Sequence, residues 1–300
     1  MENIKTTFLG TGTAVPTPNR HHTAILCQFL NENILIDCGE NTQLQFRKAH
    51  ISPHKITRIL LTHLHGDHTF GLPGLFQTLA MGNNFIKTLF IYGPKGTKAY
   101  IQNIQKIINE IKISIKVIEI NSGVFVDMPQ FKIESVPVNH TCPTLAYAIT
   151  LKDKIRLNKN KLNKYKIHPS PLIKNLLKGR DITINGKKIK SKLVTYTEKG
   201  KKISIILDTA FTNNAVKIAK NADLLISESS FASSELKKAR ESKHLTASDA
   251  ATIAKKAKVK QLILTHISQR YENNPQILEN EAKKIFKNIK MAKDLEIINI

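Results

Sequence analysis

The stretch LTHLHGDH at residues 61–68 places three histidines and one aspartate within six positions, directly after an apolar run. Imidazole and carboxylate groups suit zinc, and one ion needs several of them at about 2.0–2.2 Å. Adjacent Asp67 and His68 would strain the coordination of an ion that also binds His63 and His65. Two ions about 3.5–4 Å apart fit the four donors better. The motif therefore predicts a two-metal site at a strand end, with His63 and His65 extending the strand.

Other possible ligands end other apolar runs. FKIESVPVNH ends at His140, KISIILD at Asp208 and KQLILTH at His266. Each run is short and rich in Ile, Leu or Val, which is typical of a buried strand. Asp37 follows a similar run, NILI, where it could either orient a metal ligand or cap the strand.

Helical patterns lie between these runs. Thr246 and Asp249 form a capping-box pattern that begins a helix over 246–257, and a second pattern covers 275–290. Strands that alternate with helices predict an α/β sheet architecture rather than a helix bundle.

The positive charge of the chain is concentrated in one segment. Between Leu151 and Lys202 the sequence has 17 Lys or Arg and 3 acidic residues, which is 14 of the net charge of +23. Such a cluster indicates a polyanionic partner. We expect a single domain over 1–300, with a protruding arm inserted at about 151–200.

The cysteines and apolar runs bear on the cell compartment. The three cysteines form no C-x-x-C pair, which argues against a disulfide framework and a cysteine zinc site. No apolar run approaches the length of a membrane span, and no signal peptide is visible. We therefore expect a cytoplasmic protein with no membrane partner.

Several motifs together resemble one known family. H-x-H-x-D-H is the signature of the metallo-β-lactamase fold. The stretches FLGTGTAVPTPNR, IDCGENTQ, THLHGDHTFGLPGLFQ, YGPKG, SESSFA, HLTASDAA and LILTHISQRY together resemble ribonuclease Z, the tRNA 3′-processing endonuclease. The resemblance implies an α/β fold, namely a metallo-β-lactamase-like αβ/βα sandwich with a protruding basic arm. It also implies two Zn²⁺ per chain, precursor tRNA as the substrate and a homodimer.

The resemblance assigns metal ligands by position. The implied ligands are His63, His65 and His140 for one zinc, Asp67, His68 and His266 for the other, and Asp208 as the bridge between them. Asp67 is also a candidate to accept the proton of the attacking water, and the sequence leaves both roles open.

Two residues outside the ligand set are candidates for proton transfer. His244 lies just before Thr246 and is the candidate acid for the departing ribose 3′-oxygen. Glu228 in SESSF is the candidate to orient its imidazole.

Contacts to RNA are expected from the N-terminal loop and from the arm. The expected residues are Arg20, Lys164, Lys166, Lys178 and Arg180. The loop departs from the family pattern, since Pro18 stands where a Lys is usual and His21 follows Arg20 in place of Asn.

Two alternative functions would each explain some features of the sequence but not all of them. A small-molecule phosphodiesterase or ester hydrolase of the same fold would give no reason for a lysine-rich arm. A non-catalytic RNA-binding protein would give no reason for a complete ligand set. The sequence therefore favours a zinc-dependent endoribonuclease that removes the 3′ trailer from precursor tRNA and leaves a 3′-hydroxyl on the tRNA.

Overall fold

The computed structural model describes residues 3–81, 88–108, 113–184 and 186–300. The strands in these ranges are β1 (Lys5–Gly10), β2 (Gly12–Thr13), β3 (Ala24–Phe29), β4 (Glu32–Ile36), β5 (Arg58–Leu60), β6 (Leu89–Gly93), β7 (Ile115–Glu119), β8 (Gly123–Asp127), β9 (Phe131–Val138), β10 (Thr144–Leu151), β11 (Lys154–Leu157), β12 (Ile182–Ile184), β13 (Lys187–Ile189), β14 (Thr195–Glu198), β15 (Lys202–Ile206), β16 (Leu224–Glu228), β17 (Gln261–Thr265), β18 (Ile267–Ser268), β19 (Ile289–Met291) and β20 (Ile297–Asn299). The α-helices are α1 (Thr42–Lys48), α2 (Gly66–Thr69), α3 (Leu72–Met81), α4 (Thr97–Ile108), α5 (Lys159–Lys164), α6 (Ile173–Leu177), α7 (Ser191–Val194), α8 (Asn213–Ala219), α9 (Leu236–Glu241), α10 (Ala247–Ala257) and α11 (Gln276–Ile285). Within the described ranges, no helix has the length and apolar character to cross a membrane.

Two seven-stranded sheets form the body of the protein. One has the order β20-β1-β3-β4-β5-β6-β7 and the other β19-β17-β16-β15-β10-β9-β8. Strands β4 to β7 are parallel, as are β15, β16, β17 and β19. Strand β16 is buried along its whole length and begins with three apolar residues without alternation, before Ser227 and Glu228.

The two sheets pack face to face through apolar side chains, and helices pack on their outer faces. Phe8 of the first sheet and Tyr147 and Ile205 of the second belong to the same buried cluster. A second cluster joins the first sheet to α1, α3 and α4, and a third joins the other sheet to α8, α10 and α11. This helix–sheet–sheet–helix order is the αβ/βα sandwich expected from the sequence.

The structure corrects two local predictions and confirms a third. Strand β5 ends at Leu60, so His63 and His65 lie in the loop before α2 rather than on the strand. The helix predicted over 275–290 ends at Ile285. The capping box is present, because the Thr246 hydroxyl accepts from the Asp249 N–H at 3.1 Å and Asp249 accepts from the Thr246 N–H at 3.0 Å.

The basic segment lies between β10, which ends at Leu151, and β15, which begins at Lys202. Strands β11 and β14 pair antiparallel there, from Lys154 opposite Glu198 to Leu157 opposite Thr195. The residues beyond this pair have a small apolar cluster of their own; its buried members are Leu162, Ile167, Leu176, Ile182, Ile189 and Val194. The division of the chain into a domain and a substrate-binding arm stays a prediction.

Candidate metal centre

The seven residues expected to bind metal lie together at the end of the sandwich where β15, β16 and β17 finish. Their nitrogen and oxygen atoms form two groups, and the atoms of each group lie within 4.8 Å of one another. The first group is His63, His65, His140 and Asp208, and the second is Asp67, His68 and His266. The loop after β5 supplies His63 and His65, and helix α2 supplies Asp67 and His68. The loops after β9, β15 and β17 supply one donor each.

Asp208 lies between the groups and turns one carboxylate oxygen to each. Its Oδ2 is 3.6 Å from Nε2 of His63 and 3.6 Å from Nε2 of His140. Its Oδ1 is 3.3 Å from Nε2 of His68 and 3.0 Å from Nε2 of His266. The carboxylate can therefore contact two cations at once.

The hydrogen bonds around His266 and His68 leave a place for a cation. The Ser230 hydroxyl donates to Glu228 at 2.7 Å, so it accepts from Nδ1 of His266, 3.0 Å away. Nδ1 of His68 lies 2.6 Å from an oxygen of Asp37. If both rings are neutral and carry their proton on Nδ1, the Nε2 atoms of His68 and His266 have lone pairs. These two atoms face each other at 3.1 Å. Asp208 Oδ1 beside them is buried and makes no hydrogen bond among the described residues. A bound cation would satisfy all three atoms.

The pKa values of the donors suit metal binding. Burial alone would raise the pKa of Asp67, but His266 and His68 hold it well below its usual range. Burial, together with the charge of His68, lowers the pKa of His63, which keeps its ring neutral. For His68, burial lowers the pKa, but Asp208 and Asp37 raise it well above its ordinary value. The two carboxylates thus favour positive charge at the position of His68, which is also what a bound cation would supply.

Neighbouring side chains hold the donors in position. Asp37 accepts from the backbone N–H and the hydroxyl of Thr62, both at 2.7 Å, in addition to its contact with His68. The Thr62 hydroxyl also lies 3.0 Å from Nδ1 of His63. Nδ1 of His140 is 3.1 Å from the carbonyl oxygen of Lys243. In His63, His68 and His140 these contacts occupy Nδ1 and leave Nε2 to bind metal.

The N-terminal loop also reaches the centre. The hydroxyl of Thr13 donates to Oδ2 of Asp67 at 3.2 Å. Strand β2, which contains Thr13, pairs with β18 immediately after His266. Sequence reasoning missed Thr13, Thr62 and Ser230. Thr62 directly precedes His63 and Ser230 lies two residues after Glu228, whereas no local pattern pointed to Thr13.

His244 and Glu228 form a pair beside the two groups. Nδ1 of His244 lies 3.0 Å from Oε2 of Glu228, and its Nε2 lies 3.8 Å from Oδ2 of Asp208. Glu228 is buried and also accepts from the backbone N–H of Thr209 at 2.7 Å. Burial lowers the pKa of His244, but the Glu228 and Asp208 carboxylates outweigh it and raise the pKa to about 9. The ring is therefore protonated at neutral pH.

Two of the residues at the centre have a left-handed backbone. Asp37 has φ of 56° and His266 has φ of 58°. Residues other than glycine adopt this conformation at some cost in free energy, and in this chain several loop residues away from the centre, such as Leu30 and Lys258, also adopt it. In both cases the side chain makes a contact at the centre: Asp37 with His68, and His266 with Asp208.

The residues expected to contact RNA differ in their surroundings. The guanidinium of Arg20 is buried and donates to the Thr11 hydroxyl at 2.7 Å and to the Ala292 carbonyl at 2.9 Å. Arg20 thus attaches the N-terminal loop to the C-terminal segment, and its contact with RNA stays a prediction. The other expected residues are exposed and lie on the arm: Lys164, Lys166, Lys178 and Arg180.

Comparisons with known proteins show which families the chain resembles. A family model described as Anti-Pycsar protein Apyc1 matches residues 4–167, which contain five of the seven expected ligands but not Asp208 or His266. Ribonuclease Z of Nanoarchaeum equitans is 40% identical over 271 residues, which cover 89% of this chain and 84% of the relative.

Two solved structures agree with the whole fold. The short form of human tRNase Z superposes with a TM-score of 0.70 at 28% identity, covering 98% of each chain. YhfI from Bacillus subtilis, a metallo-β-lactamase fold protein, superposes with a TM-score of 0.72 at 21% identity over 100% of both chains, which shows the fold alone. The metallo-β-lactamase fold expected from the sequence is confirmed. The chain therefore belongs to the ribonuclease Z family, and its residues 4–167 also fit the family of the Apyc1 model.

Proposed function

We propose that this protein is a zinc-dependent endoribonuclease that removes the 3′ trailer of precursor tRNA and leaves a 3′-hydroxyl on the tRNA. The observation that carries the proposal is the position of Asp208, with one oxygen turned to each group of donors and with His244 beside it. This arrangement, in a chain of the ribonuclease Z family, suits phosphodiester hydrolysis.

The donor set supports two zinc ions per chain. His63, His65 and His140 would hold one and Asp67, His68 and His266 the other, with Asp208 bridging. Imidazole and carboxylate donors without a thiolate suit zinc. Bound metal would lower the pKa of a water and offset charge on the phosphate oxygens.

The side chains of this protein would move the two protons of the reaction. The oxygen of water forms a bond to phosphorus, and a proton of that water passes to Asp67. The bond between phosphorus and the ribose 3′-oxygen breaks, and its electron pair leaves with that oxygen. Nε2 of protonated His244 supplies the proton that this oxygen needs, while Glu228 holds the other nitrogen of the ring.

The arm supports tRNA as the substrate rather than a small diester. Its expected contact residues are exposed, as phosphate contacts require. Family membership supports a homodimer in which the arm of one subunit holds tRNA that the other cleaves.

A precursor tRNA labelled at its 5′ end and carrying a 3′ trailer tests the function. We expect one labelled product that ends at the mature 3′ end of the tRNA and that a poly(A) polymerase can extend from its free hydroxyl. A preparation that hydrolyses a nitrophenyl phosphodiester but leaves this RNA intact would support the small-molecule phosphodiesterase instead. A preparation that binds the RNA without cleaving either substrate would support a binding protein.

A further inference from the structure

A groove with an exposed aromatic ring lies next to the metal centre. It has a volume of about 380 Å³, and Asn41, Arg47, Phe70 and Gly74 are among its lining residues. Phe70 directly follows α2, the helix that carries Asp67 and His68, so its Cα is about 3 Å of helix rise beyond that of His68. The groove and the centre are therefore joined through α2 and the residue that follows it.

Phe70 is both exposed and fixed. Its side chain is 66% exposed, although a large apolar ring is usually buried. One edge of the ring lies over Gly66, where an added Cβ would come within 2.3 Å of ring carbon Cε2. Glycine at position 66 thus allows the ring to lie against the backbone, and the exposed part remains available to a ligand.

Polar groups accompany the ring. Arg47 is exposed and lines the groove. The amide of Gln43 donates to the Thr78 hydroxyl, and its oxygen lies across Gly74, where an added Cβ would be only 2.7 Å away. Aromatic faces, guanidinium groups and amides are the groups that bind unstacked nucleobases.

We propose that this groove binds the nucleobase of a nucleotide next to the scissile phosphate, by stacking on Phe70 and hydrogen bonding to Arg47. This inference rests on the proposed function, because it requires RNA at the metal centre. Stacking on a fixed ring tolerates any base, so the groove would position the strand without selecting its sequence.

The test compares variants of Phe70 on two substrates. We expect Phe70→Ala to lower kcat/KM on precursor tRNA by about tenfold, the effect of losing one stacked base. Phe70→Trp should retain most activity, and Phe70→Leu should not, because leucine keeps apolar bulk without a π face. Hydrolysis of a nitrophenyl phosphodiester, which has no base, should change little. Leu236→Ala, which removes another exposed apolar side chain, is the matched control.

RNAs that lack one base adjacent to the cleavage site test whether Phe70 stacks on that base. Removing one of the two flanking bases should slow the wild-type protein and abolish its difference from Phe70→Ala. The inference is wrong if wild type cleaves precursor tRNA and the difference persists with either base removed. It is also wrong if Phe70→Ala converts a dimer to a monomer in sedimentation, because the groove would then bind a second copy of the chain. Failure of wild type to cleave the intact RNA would instead count against the proposed function.

Discussion

Nδ1 of His244 lies 3.0 Å from Oε2 of Glu228, while Nε2 of the same ring faces Asp208 across 3.8 Å. One nitrogen is thus held by a buried carboxylate and the other points to the space between the donor groups. A ring held in this way can deliver a proton in one direction.

Replacing His244 should affect only reactions whose leaving group needs a proton. We expect His244→Ala to keep its metal and to lose roughly 10²–10⁴-fold in turnover of precursor tRNA. Nitrophenolate departs without a proton, so the loss on a nitrophenyl phosphodiester should be much smaller. Steady-state kinetics on both substrates checks this, with His63→Ala as a comparison that should lose metal as well. Equal losses on both substrates would exclude a role as general acid.

The pH dependence of RNA cleavage should depend on Glu228. His244 donates only when protonated, so activity should fall as pH rises through its pKa, which Glu228 helps to raise to about 9. In Glu228→Gln the carboxylate charge is lost, the pKa of His244 falls, and the alkaline decline should begin at lower pH.

A pH profile of kcat/KM measures the shift produced by Glu228→Gln. Glu134→Gln, whose carboxylate pairs with Lys132 away from the centre, should leave the decline in place. An unchanged decline in Glu228→Gln would mean that another group limits the reaction at high pH.

Metal content should depend on the charge of Asp208. Elemental analysis of the wild type should give about two zinc per chain, because seven donors fill two coordination spheres. Asp208→Asn keeps the shape of the side chain without its charge and should bind less metal. Asp223→Asn makes the same change at a carboxylate that pairs with Lys260 outside the centre, and should keep both ions. One zinc or none in active wild-type protein would contradict the two-metal proposal.

The arm should be removable at the pair of strands β11 and β14. Leu157 and Thr195 lie opposite each other, so the two-residue turn Asn-Gly can replace residues 158–194. We expect metal content and nitrophenyl phosphodiester hydrolysis to survive. Binding of precursor tRNA should weaken by on the order of tenfold or more and lose much of its salt dependence.

A substitution series complements the arm deletion. Changing the four expected contact residues of the arm to Gln removes four charges: Lys164, Lys166, Lys178 and Arg180. Four exposed lysines on the body serve as the matched control: Lys217, Lys220, Lys237 and Lys255. If both sets of substitutions weaken the binding of precursor tRNA equally, the overall charge of the protein, and not the arm, attracts RNA.

The sequence predicted the fold class and named seven donors that lie together in the structure, for a physical reason. The donors follow apolar runs, and the ends of neighbouring strands meet at one edge of a sheet. It did not predict where β5 ends, because Leu61 is apolar and buried although it lies outside the strand. Nor did it predict that Arg20 is buried, since its partners, Thr11 and Ala292, include a carbonyl nearly the whole chain away.

The left-handed backbone of His266 implies a conflict between folding and catalysis at one position. Asparagine or glycine would adopt φ of 58° at lower cost, but neither would supply the ring nitrogen that faces Asp208. In directed evolution, selection for thermal stability alone would favour such replacements at position 266. Selection for RNA processing would restore histidine. The residue at this position therefore reveals which pressure a laboratory lineage has experienced.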